Sequence, residues 1–186
     1  MGRWEPDAQG RLQQAALALY TERWFDQTTV AEIAERAGLT ERTFFRYFTD
    51  KREVLFAGQR PLLELLTKGV VEAPDSAGPL DAVSASVQQA MSFLDGRRDA
   101  SRLRQAVIDA NPALRERELA KRAAMAGALA EGLLQRGVTE ATARVTAEAA
   151  AAVFGLAFEQ WLAADDHDLA YFVRRSIAEL RALTAG

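Results

Sequence analysis

The sequence predicts an all-α protein of nine helices. Three observations carry this: apolar residues recur at spacings of three and four, Ala and Leu abound, and no run alternates with a period of two between turn signals. With 186 residues, 49% of them hydrophobic, the chain can bury one good core and a smaller lobe beside it.

The first helix is expected over about Asp7 to Trp24, with Leu12, Ala15, Ala16, Leu19, Tyr20 and Arg23/Trp24 on its inner stripe, the Trp and Tyr as core residues. Thr29 caps the second, and Glu32 three residues on completes a capping box. Val30, Ile33, Ala34 and Ala37 form its inner face. Gly38 supplies the residue best able to take a positive φ in a tight turn, and Thr40 caps a short third helix ending near Phe48. Asp50 and Glu53 repeat the cap, so a fourth helix is predicted from Lys51 to about Lys68. The Pro- and Gly-containing stretch Glu72 to Pro79 breaks the pattern. Five further helices are expected at about Leu80 to Leu94, Asp99 to Ala110, Pro112 to Arg136, Thr139 to Ala164 and Asp168 to Thr184. Gly96, Asn111-Pro112, Gly137 and Asp165-Asp166 divide them.

Composition narrows the chemistry. There is no cysteine and a single histidine, His167, so disulfides, thiolate zinc sites and His-dependent triads are excluded. No nucleophile-base pair or phosphate-binding glycine loop appears, which argues against an enzyme, and no metal or cofactor is expected. Asp165, Asp166 and Asp168 lack a full calcium-loop pattern and read as a helix cap. The N-terminal stretch has no apolar signal core, and no apolar run approaches the roughly 20 residues that span a bilayer. A soluble, cytoplasmic protein with no membrane partner is expected. The net charge of -3 gives no bulk attraction for nucleic acid. Met1 to Phe56 carries eight basic residues against nine acidic ones, whereas Thr40 to Arg60 carries five against three. Positive charge is confined to one short stretch.

That stretch is the most informative. Two short helices joined by a glycine turn form a helix-turn-helix over about Thr29 to Phe48. With Leu39, Phe44 and Phe48 turned inward, the third helix exposes Glu41, Arg42, Thr43, Phe45, Arg46 and Tyr47. Such a helix can enter a major groove. Arginine can bind guanine bidentately and threonine can serve base or phosphate, which makes Arg42, Thr43 and Arg46 the candidate base readers. The helix N-termini at Thr29, Thr40 and Lys51 offer amides to phosphates.

The string TTVAEIAERAGLTERTFFRYFTDKREVLF, with Arg11-Leu12 and Trp24-Phe25 before it, resembles the TetR family of bacterial regulators. The resemblance is tight over Arg11 to Phe56. It implies a nine-helix TetR-like architecture: residues 1–50 as a DNA-binding domain and 51–186 as a ligand-binding and dimerisation domain. It implies phosphate contacts from Thr29, Tyr47 and Lys51. Where the family often has tyrosine this chain has Phe45, which loses a phosphate hydrogen bond but can meet sugar or a thymine methyl.

The implied function is a ligand-responsive regulator, a homodimeric repressor released from a palindromic operator by a small effector. Candidate effector contacts are Leu65, Leu66, Met91, Leu103, Val107, Met125, Leu129, Phe154 and Phe158. The lack of charge among them favours an apolar effector, an acyl thioester by resemblance of the recognition run. The dimer face is expected on the last two helices, at Ala152, Gly155, Phe172, Val173, Ser176, Ile177 and Leu180, although the same stripe could complete a monomer core. A helical enzyme and an architectural DNA binder are the competing readings.

Overall fold

The structure, a computed structural model, describes residues 7–184 apart from residue 95. Arg3 and Glu5, counted in the charge balance, lie outside them. The described residues form nine helices: α1 (Ala8–Arg23), α2 (Val30–Arg36), α3 (Glu41–Tyr47), α4 (Gln59–Val71), α5 (Pro79–Met91), α6 (Arg98–Asp109), α7 (Pro112–Gln135), α8 (Glu140–Ala163) and α9 (Leu169–Thr184). Two 3-10 turns, Glu53–Phe56 and Ser92–Leu94, complete the order. Among the described residues there is no strand.

The chain divides into two compact units. The first joins the part up to Gly58 with Arg102–Glu116; the second takes Gln59–Ser101 and Arg117–Gly186. In the first, Leu12, Ala16, Leu19 and Tyr20 of α1 bury against Ile33 of α2 and Phe44 of α3. Val54, Leu55 and Phe56 join them, as do Val107, Ile108 and Leu114 from the α6–α7 corner. Polar groups fix that corner: Arg104 Nε donates to the Leu55 carbonyl at 2.8 Å and Asn111 Nδ2 to Asp26 Oδ1 at 3.3 Å. The Arg104 guanidinium also lies 5.2 Å from the centre of the Phe56 ring.

The fourth helix begins later than the caps predicted. Asp50 Oδ1 does accept the Arg52 and Glu53 amides, at 2.7 and 3.2 Å, but it opens only the 3-10 turn. Gly58 then takes φ +84°, and α4 restarts at Gln59. The reason is Pro61. In a continuous helix from Lys51 it would sit in the interior, lacking a donor and pressing on the carbonyl four residues back; in α4 it falls in the first turn, where neither matters.

In the second unit α4 packs on α5, and α8 on α9 and α5. Ser86 Oγ donates to the Leu66 carbonyl at 2.7 Å and Thr67 Oγ1 to that of Ala128 at 3.0 Å, so α4 is bonded to α5 and to α7. At Gly132 a Cβ would come within 2.7 Å of Val70 Cβ, so α7 approaches α4 at a distance that only glycine allows. The Arg136 guanidinium caps the α4–α5 loop by donating to the carbonyls of Val70, Ala73, Pro74 and Ala77.

One expectation about composition is corrected by α8. By length and composition alone this 24-residue helix could cross a membrane. In this unit it turns one side, Ala143, Ala147, Ala150, Ala157 and Trp161, into the core.

Candidate nucleic-acid interface

Local chemistry sets the geometry of α2 and α3. Thr29 Oγ1 accepts the Glu32 amide at 3.3 Å while Glu32 Oε2 accepts the Thr29 amide at 2.8 Å, completing the capping box. These bonds from Thr29, backbone first, hold the Glu32 carboxyl below the usual carboxylate range. α2 ends in a Schellman arrangement, Leu39 N donating to the Ala34 carbonyl at 2.8 Å with Gly38 at φ +67°. Arg11 Nη2 donates to the Ala37 carbonyl, and a Cβ on Gly38 would lie 2.8 Å from the same nitrogen. The turn is therefore held from α1, a role for Arg11 that its position in the sequence does not disclose. Thr40 Oγ1 accepts the Thr43 amide at 3.2 Å and opens α3.

α3 is pinned from beneath. Phe44 is fully buried and Phe48 is 4% exposed, their rings 5.4 Å apart. Glu41, Arg42, Phe45, Arg46 and Tyr47 are exposed, and Thr43 is half-buried. Arg46 and Tyr47 form a unit, with Nη2 donating to the phenol oxygen at 3.2 Å and the guanidinium 4.9 Å from the ring centre. Arg42 makes no hydrogen bond or ion pair among the described residues. Thus a free guanidinium, a paired guanidinium and an exposed ring stand together on a helix two turns long.

Lys51 is disposed differently from the expected phosphate contact. Its ammonium donates to the carbonyls of Phe25, Asp26 and Thr28 at 2.8, 3.3 and 2.9 Å, and lies 4.5 Å from the centre of the Phe25 ring. All three protons are thereby engaged. Its own carbonyl accepts the Tyr20 phenol at 2.6 Å. Burial, with Asp50 adding to it, pushes that phenol well above its ordinary value, so it remains a donor. Lys51 and Tyr20 fasten the loop that delivers Thr29 to the start of α2. Trp24, expected on the inner stripe of α1, lies instead in this loop: α1 ends at Arg23, and the left-handed turn at Trp24 (φ +69°, ψ 149°) leaves the residue 69% exposed, its carbonyl accepting the Thr28 hydroxyl at 3.0 Å.

The remaining candidate residues separate. Leu66, Met91, Met125 and Leu129 are buried in the core of the second unit, with Phe154 and Phe158 packed against it. Leu65 and Leu103 are 38% and 46% exposed, and Val107 lies in the core of the first unit. The α9 stripe is spent inside its own unit: Phe172, Val173, Ser176 and Ile177 are core residues, because α9 lies on α8 and α5. Leu180 is half-buried, Gly155 is buried and Ala152 is exposed. On the outer side of α8 the expected Ala152 is exposed, and so are Val145 and Leu156, which the sequence reading did not single out. Ala152 and Leu156 line a groove of about 450 Å³ together with Arg122, Ala151, Gly155 and Glu159. Gln160 Oε1 and Ser176 Oγ are buried with no hydrogen-bond partner. Asp168 Oδ1 accepts the Tyr171 amide at 2.7 Å and so opens α9. Among the described residues no cluster of His, Asp or Glu could hold a metal ion.

A capped two-helix reading head with arginines on its outer face, followed by a larger helical unit, defines a DNA-binding regulator of the helix-turn-helix class. Comparison with known proteins gives the family. Residues 12–57 match the model for bacterial regulatory proteins of the tetR family, and residues 77–185 match the MftR C-terminal domain. The chain belongs to the TetR family of transcriptional regulators, and its relatives are regulators rather than enzymes. It is 33% identical over 76 residues to the HTH-type transcriptional regulator TcmR of Streptomyces glaucescens, a match spanning 41% of this chain and 34% of that protein. Similar solved structures include SmeT in complex with triclosan (18% identity, TM-score 0.64, covering 92% of this chain and 90% of that one). Others are a putative transcriptional regulator of Pseudomonas aeruginosa (23%, 0.61, 99% and 94%) and FadR of Thermus thermophilus with lauroyl-CoA (22%, 0.50, 91% and 91%). At these identities the structural likeness concerns the fold.

Proposed function

We propose that the chain is a dimeric, cytoplasmic repressor that reads a palindromic operator with α3 and leaves it when the second unit binds a small effector. The observation that carries this reading is the outer face of α3, where Arg42 and Arg46 stand beside Phe45 on a helix immobilised by Phe44 and Phe48. Arg42 and Arg46 read bases, Thr43 supports them, and Tyr47 with the helix start at Thr29 meets phosphate. Lys51 acts on this face indirectly, through the loop before Thr29.

The effector site belongs to the interior of the second unit, around Leu66, Met91, Met125, Leu129, Phe154 and Phe158. An apolar effector suits these walls, and a fatty acyl thioester is the class we favour. The triclosan and lauroyl-CoA named for the SmeT and FadR structures support that choice. Ser176 Oγ and Gln160 Oε1 offer polar handles. For the homodimer we propose the outer side of α8, with Val145, Ala152 and Leu156 at its centre, since the α9 stripe is already buried.

Selection of bound duplexes from a random pool tests the reading. A palindrome should emerge, and Arg42→Ala and Arg46→Ala should each cost about 1–3 kcal/mol while relaxing one position per half-site. Lauroyl-CoA added to the selected complex should weaken DNA binding, and DNA should weaken lauroyl-CoA binding by the same factor. Broad protection without a preferred sequence would favour the architectural alternative and refute this one.

A further inference from the structure

We propose that Phe45 reads the C5-methyl group of a thymine in each operator half-site. The inference rests on the DNA-reading role of α3 and adds the base atom that an apolar side chain there can recognise. Phe45 is 56% exposed in the middle of a seven-residue helix whose neighbouring phenylalanine, Phe44, is fully buried. The two rings meet edge to face with centres 5.5 Å apart, so the buried ring backs the exposed one. At ~100° per residue, Arg42 and Arg46 share the outermost stripe of α3. Phe45 borders that stripe on one side, Thr43 and Tyr47 on the other.

The chemistry of the groove selects the ligand. The major-groove edges of the bases present hydrogen-bond donors and acceptors, and the thymine methyl is their one apolar group. Phenylalanine has no hydroxyl to offer a phosphate, and on this helix it lies beside a stripe of two guanidinium groups that attract the duplex. A ring held in that place discriminates by covering or failing to cover a methyl group. The predicted half-site is therefore a guanine read by arginine with a thymine close beside it.

Uracil differs from thymine by that methyl alone, so it isolates the contact. Duplexes recovered by selection with the full-length protein are resynthesised with deoxyuridine at each thymine position in turn, and affinity is measured for wild type and Phe45→Ala. With wild type, one position should lose about fourfold when one half-site is substituted and about fifteenfold when both are. Phe45→Ala should bind thymine and uracil duplexes alike, and 5-methylcytosine at the sensitive position should restore part of the wild-type affinity relative to cytosine. Should the variant bind too weakly to measure, the wild-type uracil series decides alone. Equal affinity for every uracil duplex would overturn the inference, as would a uracil penalty that persists in Phe45→Ala. Failure to enrich any sequence would overturn the DNA-reading proposal and this one with it; an enriched palindrome indifferent to uracil overturns only this one.

Discussion

Replacing Lys51 by methionine keeps most of the apolar stem over Phe25 and deletes the ammonium. The partly buried carbonyls of Phe25 and Thr28, and the exposed one of Asp26, lose a donor they meet at 2.8 to 3.3 Å. Hydrogen bonds to a charged group contribute about 1.5–3 kcal/mol, and the contact with the Phe25 ring adds about 0.5–1 kcal/mol. Because the three bonds share one ammonium and water can reach part of the site, they do not add in full. The expected loss is about 2–4 kcal/mol, read as a lower denaturant midpoint with unchanged slope. A phosphate-binding lysine behaves in the opposite way: its removal leaves unfolding unaltered and flattens the salt dependence of DNA affinity by about one counterion per half-site. Urea titration and a salt series on the same protein therefore separate the two roles. Wild-type stability in Lys51→Met, together with a flattened salt slope, would refute the inward assignment.

Two further outcomes follow from the same loop. Trp24→Gly should stabilise the protein by about 1 kcal/mol, since a non-glycine residue in that backbone region costs ~1–3 kcal/mol and glycine returns only ~0.5–1 kcal/mol in chain entropy; a lower denaturant midpoint would contradict this. Tyr20 has its folded-state phenol raised, so its contribution is intact below pH ~10 and is lost as pH rises above it, at about 1.4 kcal/mol per pH unit. Tyr20→Phe, measured by unfolding between pH ~10 and ~12, should remove that slope, and identical slopes in the two proteins would count against the buried phenol.

The features legible in the sequence are those whose cause lies within a few residues. Thr29 with Glu32, Thr40, Gly38 and Thr139 each act on amides or φ angles in their own turn, and the structure has caps or turns at all four. Asp50 shows the limit of such signals: it caps, but a proline eleven residues on decides how far the helix runs. Lys51 and Arg11 were obscure because their partners lie more than twenty residues away, and a basic residue beside a DNA-reading helix suggests phosphate first. The α9 stripe was visible as an apolar face, but periodicity does not say what covers it. Its cover is α8 and α5, and the exposed stripe belongs to α8, whose abundance of alanine hides which side is outward.

The α6–α7 corner changes what may be exchanged between relatives. Val107, Ile108 and Leu114 close the same core as Val54 and Phe56, and Asn111 and Arg104 bond to Asp26 and Leu55 across it. A reading head transplanted as one N-terminal segment would leave behind a wall of its own interior. Hybrid regulators that join this second unit to another DNA-binding unit should therefore be spliced at two places, carrying residues 102–116 with the N-terminal segment or grafting α3's outward side chains alone onto the native scaffold.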